Sequence, residues 1–150
     1  MGIERQPSTR ALGTRPSDAS GRPDWRAIDA LRQGITVPVV LKGVMSPEDA
    51  LSAVKRGIQG IVVSNGGKVD AGRMPVDALP SIVDAVGRDI PVLVDGSFRR
   101  GTDVIKALAL GARAVLVGRP VMWGLAAYGA DVFVGSWRCC RRNRRARWST

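Results

Sequence analysis

Two short stretches place arginine beside glycine where an apolar run gives way to a helix-like pattern: "LVDGSFRRG", Leu93 to Gly101, and "LVGRP", Leu116 to Pro120. Glycine lets another group approach the backbone closely, and the free N–H groups of a helix start favour an anion. A guanidinium adds charge-assisted, bidentate bonds, so Arg99 and Arg119 are candidate ligands of one phosphate, with Gly96 and Gly118 as the backbone beside them. Arg100 is open between that role and an ordinary solvated or ion-paired arginine. Asp95 would repel a phosphate at such a place, so it is assigned to the hydroxyls of a sugar-like chain. Lys42, at the end of "VPVVLKG", and Ser64-Asn65, at the end of "GIVVSN", are polar residues in equivalent positions. Any one of these alone would read as a loop residue; four polar ends in the same register make a site.

The elements that must position these residues repeat one grammar. "VPVVLKG" (Val37 to Gly43) is followed by "SPEDALSAVKRG", "GIVVSNGG" (Gly60 to Gly67) by "PVDALPSIVDAVG", "IPVLVDG" (Ile90 to Gly96) by "GTDVIKALALG", and "RAVLVG" (Arg113 to Gly118) by "RPVMWGLAAYGA". The apolar runs are almost unbroken, as in parallel strands covered on both faces, and each following segment has helical periodicity. Ser46 before "PEDA" is an N-cap signal, and Gly57 and Gly111 stand where helices should stop. "RPDWRAIDALRQG", with Trp25, Ile28 and Leu31 at helical spacing, reads as the helix of a preceding unit. The fold class is therefore α/β: parallel (β/α) units, about four of them, forming the C-terminal half of a TIM barrel. In that architecture the chemistry sits at the carboxyl ends of the strands, and phosphate is held after the seventh and eighth.

Charge and composition narrow the function. The 150-residue chain carries a formal charge of +10, but Met1 to Arg22 holds four arginines against two acids and Trp137 to Thr150 holds six arginines and no acid. The segment between them has 13 basic and 11 acidic residues, so the excess belongs to the ends and no nucleic-acid partner is expected. No apolar run is long enough for a membrane span, and no membrane partner is expected. There is no histidine, and the two cysteines, Cys139 and Cys140, are adjacent. No metal site or disulfide framework follows from that, and a reducing, cytoplasmic setting is the expectation. Residues 1–22 read as a disordered leader, 23–134 as the partial barrel, and 135–150 as an Arg-rich tail that is disordered or the product of a frameshift near Asp131.

"LKG", "VSN", "DG" with "RRG", and "GRP" occur in this order, and from about Pro23 to Asp131 the chain resembles the FMN-dependent 2-hydroxy acid oxidases and dehydrogenases, the group containing glycolate and lactate oxidases. The resemblance implies FMN as cofactor. It implies that Lys42 lies by the flavin pyrimidine ring and stabilises negative charge there, that Ser64 lies near the flavin, and that Asp95, Gly96, Ser97 and Arg99 contact the ribityl chain and phosphate. Gly118 and Arg119 form the second phosphate grip. Ser97 stands where the family has glycine, and its hydroxyl is a possible extra bond. In the family reaction a base takes the proton of a small 2-hydroxy acid's hydroxyl, electrons pass to flavin, and an acceptor reoxidises it.

Two departures set the expectation for activity. After "VSN" the family reads "HGGRQLDG", with the histidine as base and the arginine as carboxylate ligand; this chain reads "GGKVDAGRMP" and offers no catalytic residue there. Lys68 and Arg73 are the nearest cations, and solvated loop charges are the better reading of both. The family's first four barrel strands also have no counterpart. The chain is thus expected to be a truncated, inactive form of an enzyme oxidising a 2-hydroxy acid to a 2-oxo acid, needing self-association or a partner half-barrel. The alternative is a non-catalytic half-barrel that binds a phosphorylated ligand or a partner subunit.

Overall fold

The computed structural model describes residues 24–68 and 72–129. The expected leader 1–22 and tail 135–150 lie outside the described residues. The chain divides into two units, at residues 1–37 and 38–150. The first contains one described element, helix α1 (Trp25–Gln33). Asp24 caps it by accepting from the Ala27 N–H at 2.8 Å, and the chain leaves it at Gly34.

The second unit alternates strand and helix without exception: β1 (Val40–Val44), α2 (Pro47–Lys55), β2 (Gly60–Val63), α3 (Pro75–Val86), β3 (Val92–Asp95), α4 (Gly101–Ala109) and β4 (Ala114–Leu116). A further helical stretch runs over 119–129. All four strands are parallel, in the order β1-β2-β3-β4. A helix after every strand and neighbours in chain order are the signature of consecutive barrel units, as the repeated sequence grammar implied.

Burial explains the strand patterns. Every residue of β2 is buried, whereas β1 and β4, at the edges of the described sheet, are mostly exposed. Ile61, Val63 and Val94 from the strands and Leu79, Ile82 and Val86 from α3 are almost fully buried, and α3 packs on both β2 and β3. Ala50 and Ala53 of α2 are fully buried, small enough to bring that helix close as it packs beside α3.

The strands are shorter than the apolar runs. β1 begins at Val40 and not Val37, since Pro38 has no N–H for a ladder. β2 stops at Val63, where Ser64 and Asn65 turn their side chains to the loop backbone. Between Lys42 and Val44 the β1–β2 register slips at Gly43, whose φ of 104° marks a bulge.

The helix ends follow the expected signals. The Ser46 hydroxyl accepts from the Asp49 N–H at 3.2 Å, with Pro47 in the first turn. Gly57 and Gly111 fall one residue beyond the caps Arg56 and Leu110, both with positive φ, the usual place for glycine after a helix. At Gly111 the requirement is double: φ is 98°, and a Cβ would lie 2.7 Å from Val83 Cγ1. Gly111→Ala is expected to cost about 2–4 kcal/mol in urea denaturation, by backbone strain plus overpacking. Gly34→Ala, whose Cβ would meet nothing closer than 4.0 Å, should change stability by less than about 0.5 kcal/mol.

Candidate functional site

The carboxyl ends of the strands surround a cavity of about 350 Å³. Its charged lining is Lys42 from β1, Asp95 from the end of β3, Arg99 from the β3–α4 loop and Arg119 from the start of the 119–129 helix. Its backbone lining includes Gly66, Gly67, Gly96 and Gly118, with Ser97, Phe98, Leu116 and Pro120 completing the wall. Seven of the eight residues assigned to cofactor binding therefore border one space: Lys42, Asp95, Gly96, Ser97, Arg99, Gly118 and Arg119.

Ser64 does not line that space. Its side chain is buried, at 1% exposure, and its hydroxyl accepts from the Gly66 N–H at 3.1 Å. Here it shapes the turn that presents Gly66 and Gly67 to the cavity. Arg100 is exposed and lies outside the lining, at the N-cap of α4. The Asp103 carboxylate accepts from the backbone N–H of both Arg99 (3.3 Å) and Arg100 (3.0 Å), fixing the loop that carries Arg99. Arg73 donates to the Asp77 carbonyl at 2.9 Å and to the Ser81 hydroxyl at 3.4 Å, so it serves α3. Lys68, also outside the lining, closes a turn with Asn65 through its backbone.

Electrostatics organise the rim. Lys42 and Asp95 form an ion pair that spans from β1 to β3 over the intervening β2. Two strand spacings amount to about 9.6 Å, a gap that needs a side chain as long as lysine. The bulge at Gly43 adjoins this lysine, and Gly96 adjoins this aspartate. Gly96 has φ 124°, and a Cβ there would stand 3.1 Å from Pro75 Cγ at the start of α3. Glycine after Asp95 is thus imposed by conformation and by close approach.

Ser97 is the single non-glycine residue with positive φ (62°) among the described residues. Its hydroxyl accepts from Arg119 Nη2 at 3.4 Å. The Arg99 guanidinium carbon lies 5.3 Å from the centroid of the Trp123 ring. Sequence reasoning assigns Trp123 no role. Its spacing four residues after Arg119 is the available signal, because i and i+4 share a helix face.

Known proteins resemble this chain in sequence and in fold. The family model described as FMN-dependent dehydrogenase matches residues 4–141, reaching into the segments read as leader and tail. The chain is 48% identical over 124 residues to the peroxisomal (S)-2-hydroxyacid oxidase GLO3 of Arabidopsis thaliana, covering 81% of this chain and 34% of that protein. It is 55% identical over 109 residues to the 4-hydroxymandelate oxidase of Amycolatopsis orientalis, covering 71% of this chain and 30% of that protein. Among solved structures, mandelate oxidase with 3,3-difluoro-2-hydroxy-3-phenylpropionic acid superposes with a TM-score of 0.78 at 46% identity, over 83% of this chain and 38% of the other. A mandelate oxidase variant with a monooxide FMN adduct gives 0.77 at 47% identity, over 84% and 41%.

The chain belongs to the FMN-dependent dehydrogenase family. Its relatives include 2-hydroxy acid oxidases, and the family's cofactor is FMN. The chain spans about a third of the length of the curated relatives it matches.

The ion pair makes a measurable claim. Lys42 is half exposed and Asp95 about one quarter exposed, so solvent screens their attraction. In a double-mutant cycle with Lys42→Met and Asp95→Asn, the coupling energy read by denaturation should be about 0.3–1 kcal/mol and should shrink in high salt. A coupling near zero at low salt would show that the two side chains do not pair.

Proposed function

We propose that this chain is the FMN-phosphate-holding portion of a 2-hydroxy acid oxidising flavoenzyme, and that by itself it holds the cofactor without completing the oxidation. The observation that carries the reading is the shared cavity of Arg99 and Arg119. Among the described residues, two guanidinium groups and an ammonium face one space that contains a single carboxylate. A phosphate monoester, with a charge of about −1.5 to −2 at neutral pH, is the complement of that imbalance.

The cavity also fits the group sterically. At Gly66, Gly67 and Gly118, a Cβ would meet no protein atom within 4 Å, so open space lies directly against the backbone. Side chains at these three positions would fill the cradle. The helix over 119–129 begins at the same wall; Val121 (3.0 Å) and Met122 (3.3 Å) donate to the Gly118 carbonyl and Pro120 has no N–H, so the backbone donors this start offers an anion are those of Gly118 and Arg119.

The chemistry FMN supplies when bound is acceptance of the hydride equivalent removed as a 2-hydroxy acid becomes a 2-oxo acid. In this chain Arg99, Arg119 and the Gly118 backbone would hold the phosphate, and Asp95 and Gly96 would serve the ribityl hydroxyls. Lys42, paired with Asp95, would bring positive charge to the pyrimidine side. No histidine takes the substrate's hydroxyl proton, and loss of a general base lowers a rate by about 10²–10⁴. The chain is accordingly read as inactive alone.

Completing the site requires more strands. β1 and β4 carry no partner on their outer sides among the described residues, and Val40 (52%), Leu116 (39%) and Val117 (41%) are exposed apolar residues at those edges. The reading kept for partners is therefore another copy of the chain or a separate half-barrel, with no nucleic acid and no membrane surface involved. No helix among the described residues is long and apolar enough to cross a membrane. The adjacent cysteines favour a reducing compartment, and the cytoplasm is the location retained.

Purified whole chain incubated with FMN and desalted should retain flavin absorbance and should not bleach when a 2-hydroxy acid is added without oxygen. Arg119→Leu should weaken FMN binding by about tenfold or more. A colourless chain would favour a half-barrel binding some other phosphorylated ligand, and bleaching would contradict the inactivity. In a separate measurement, native mass should correspond to more than one chain; a stable single-chain mass would contradict the partner requirement.

A further inference from the structure

Two contacts cross between the loops that carry the arginines. Arg99, after β3, sets its guanidinium over the ring of Trp123, on the helix after β4. Arg119, at the start of that helix, donates to the hydroxyl of Ser97, back on the loop after β3. Each arginine is held by a residue from the other arginine's loop.

Both supporting residues are in places that folding alone does not favour. Ser97 takes a left-handed conformation (φ 62°) that a glycine would adopt without strain. Trp123 leaves 51% of its surface in solvent while keeping one face for a cation. Two like charges at one rim repel, and unrestrained arginine side chains would swing apart into water. Contacts that hold both guanidinium groups beside one cavity oppose that separation before any anion arrives.

We infer that Ser97 and Trp123 are positioning residues that pre-set Arg119 and Arg99 for a phosphate monoester, so that the anion meets a formed two-arginine fork. This rests on the FMN reading above and adds to it the residues that orient the ligands. A purely structural Trp123 or Ser97 would act differently: its loss would lower stability and weaken all flavins alike.

The test compares FMN with riboflavin, which lacks the phosphate, by quenching of flavin fluorescence on the whole chain and on Ser97→Ala, Trp123→Ala and Trp123→Phe. The unaltered chain should prefer FMN. Ser97→Ala and Trp123→Ala should each reduce that preference roughly two- to fivefold, with FMN affinity falling more than riboflavin affinity, and Trp123→Phe should keep most of it. An unaltered FMN-to-riboflavin ratio in both alanine variants, or equal weakening of both flavins, overturns the inference and leaves the FMN reading standing. A parent chain that binds neither flavin overturns the FMN reading, and this inference with it.

Discussion

The site depends on an unbalanced set of charges. Among the described residues, Lys42, Arg99 and Arg119 face one cavity against the single carboxylate of Asp95, which is already engaged by the lysine. The two guanidinium groups are left without a carboxylate between them. Such an arrangement is unfavourable in an empty cavity and favourable around a dianion, so the proposed affinity for a phosphate rests on repulsion relieved as well as on bonds made. The cation–π contact and the Ser97 hydroxyl matter because they restrain this repulsion while adding no negative charge.

Parallel strands in chain order put the elements where this requires. β3 and β4 are neighbours, so the loops that follow them emerge side by side and both line the cavity. Lys42 must come from farther away. It reaches over β2 to Asp95, and the bulge at Gly43 adjoins it at the point where the strand leaves regular register. The fully buried β2 is the rigid middle across which that ion pair is stretched. The same topology that sets the two arginine loops side by side leaves β1 and β4 with open outer edges among the described residues.

Much of this is legible in the amino-acid sequence. Unbroken apolar runs, Ser46 before Pro47, and Gly57 and Gly111 after their helices announce the four units, because strand burial and helix capping are local properties. Arg99 and Arg119 are legible as a pair for the same reason: each lies just beyond a glycine at a strand end. What crosses between elements is not. The Lys42–Asp95 pair depends on which strand lies two places away, whereas residue type alone assigns Asp95 to sugar hydroxyls and gives it no protein partner. The resemblance puts Ser64 beside the flavin, whereas the bond its hydroxyl accepts from the Gly66 amide is set by loop geometry that residue type does not announce. Trp123 reads in sequence as one apolar residue of a helix; only the fold sets Arg99 above its ring.

Everything rests on Arg99 and Arg119 holding one phosphate between them. A crystal structure of the whole chain with FMN tests this most directly. Oxygens of a single phosphate group should accept hydrogen bonds from both guanidinium groups and from the backbone at Gly118. A phosphate bound by only one arginine, with the other turned to solvent or to the far side of its loop, would contradict it.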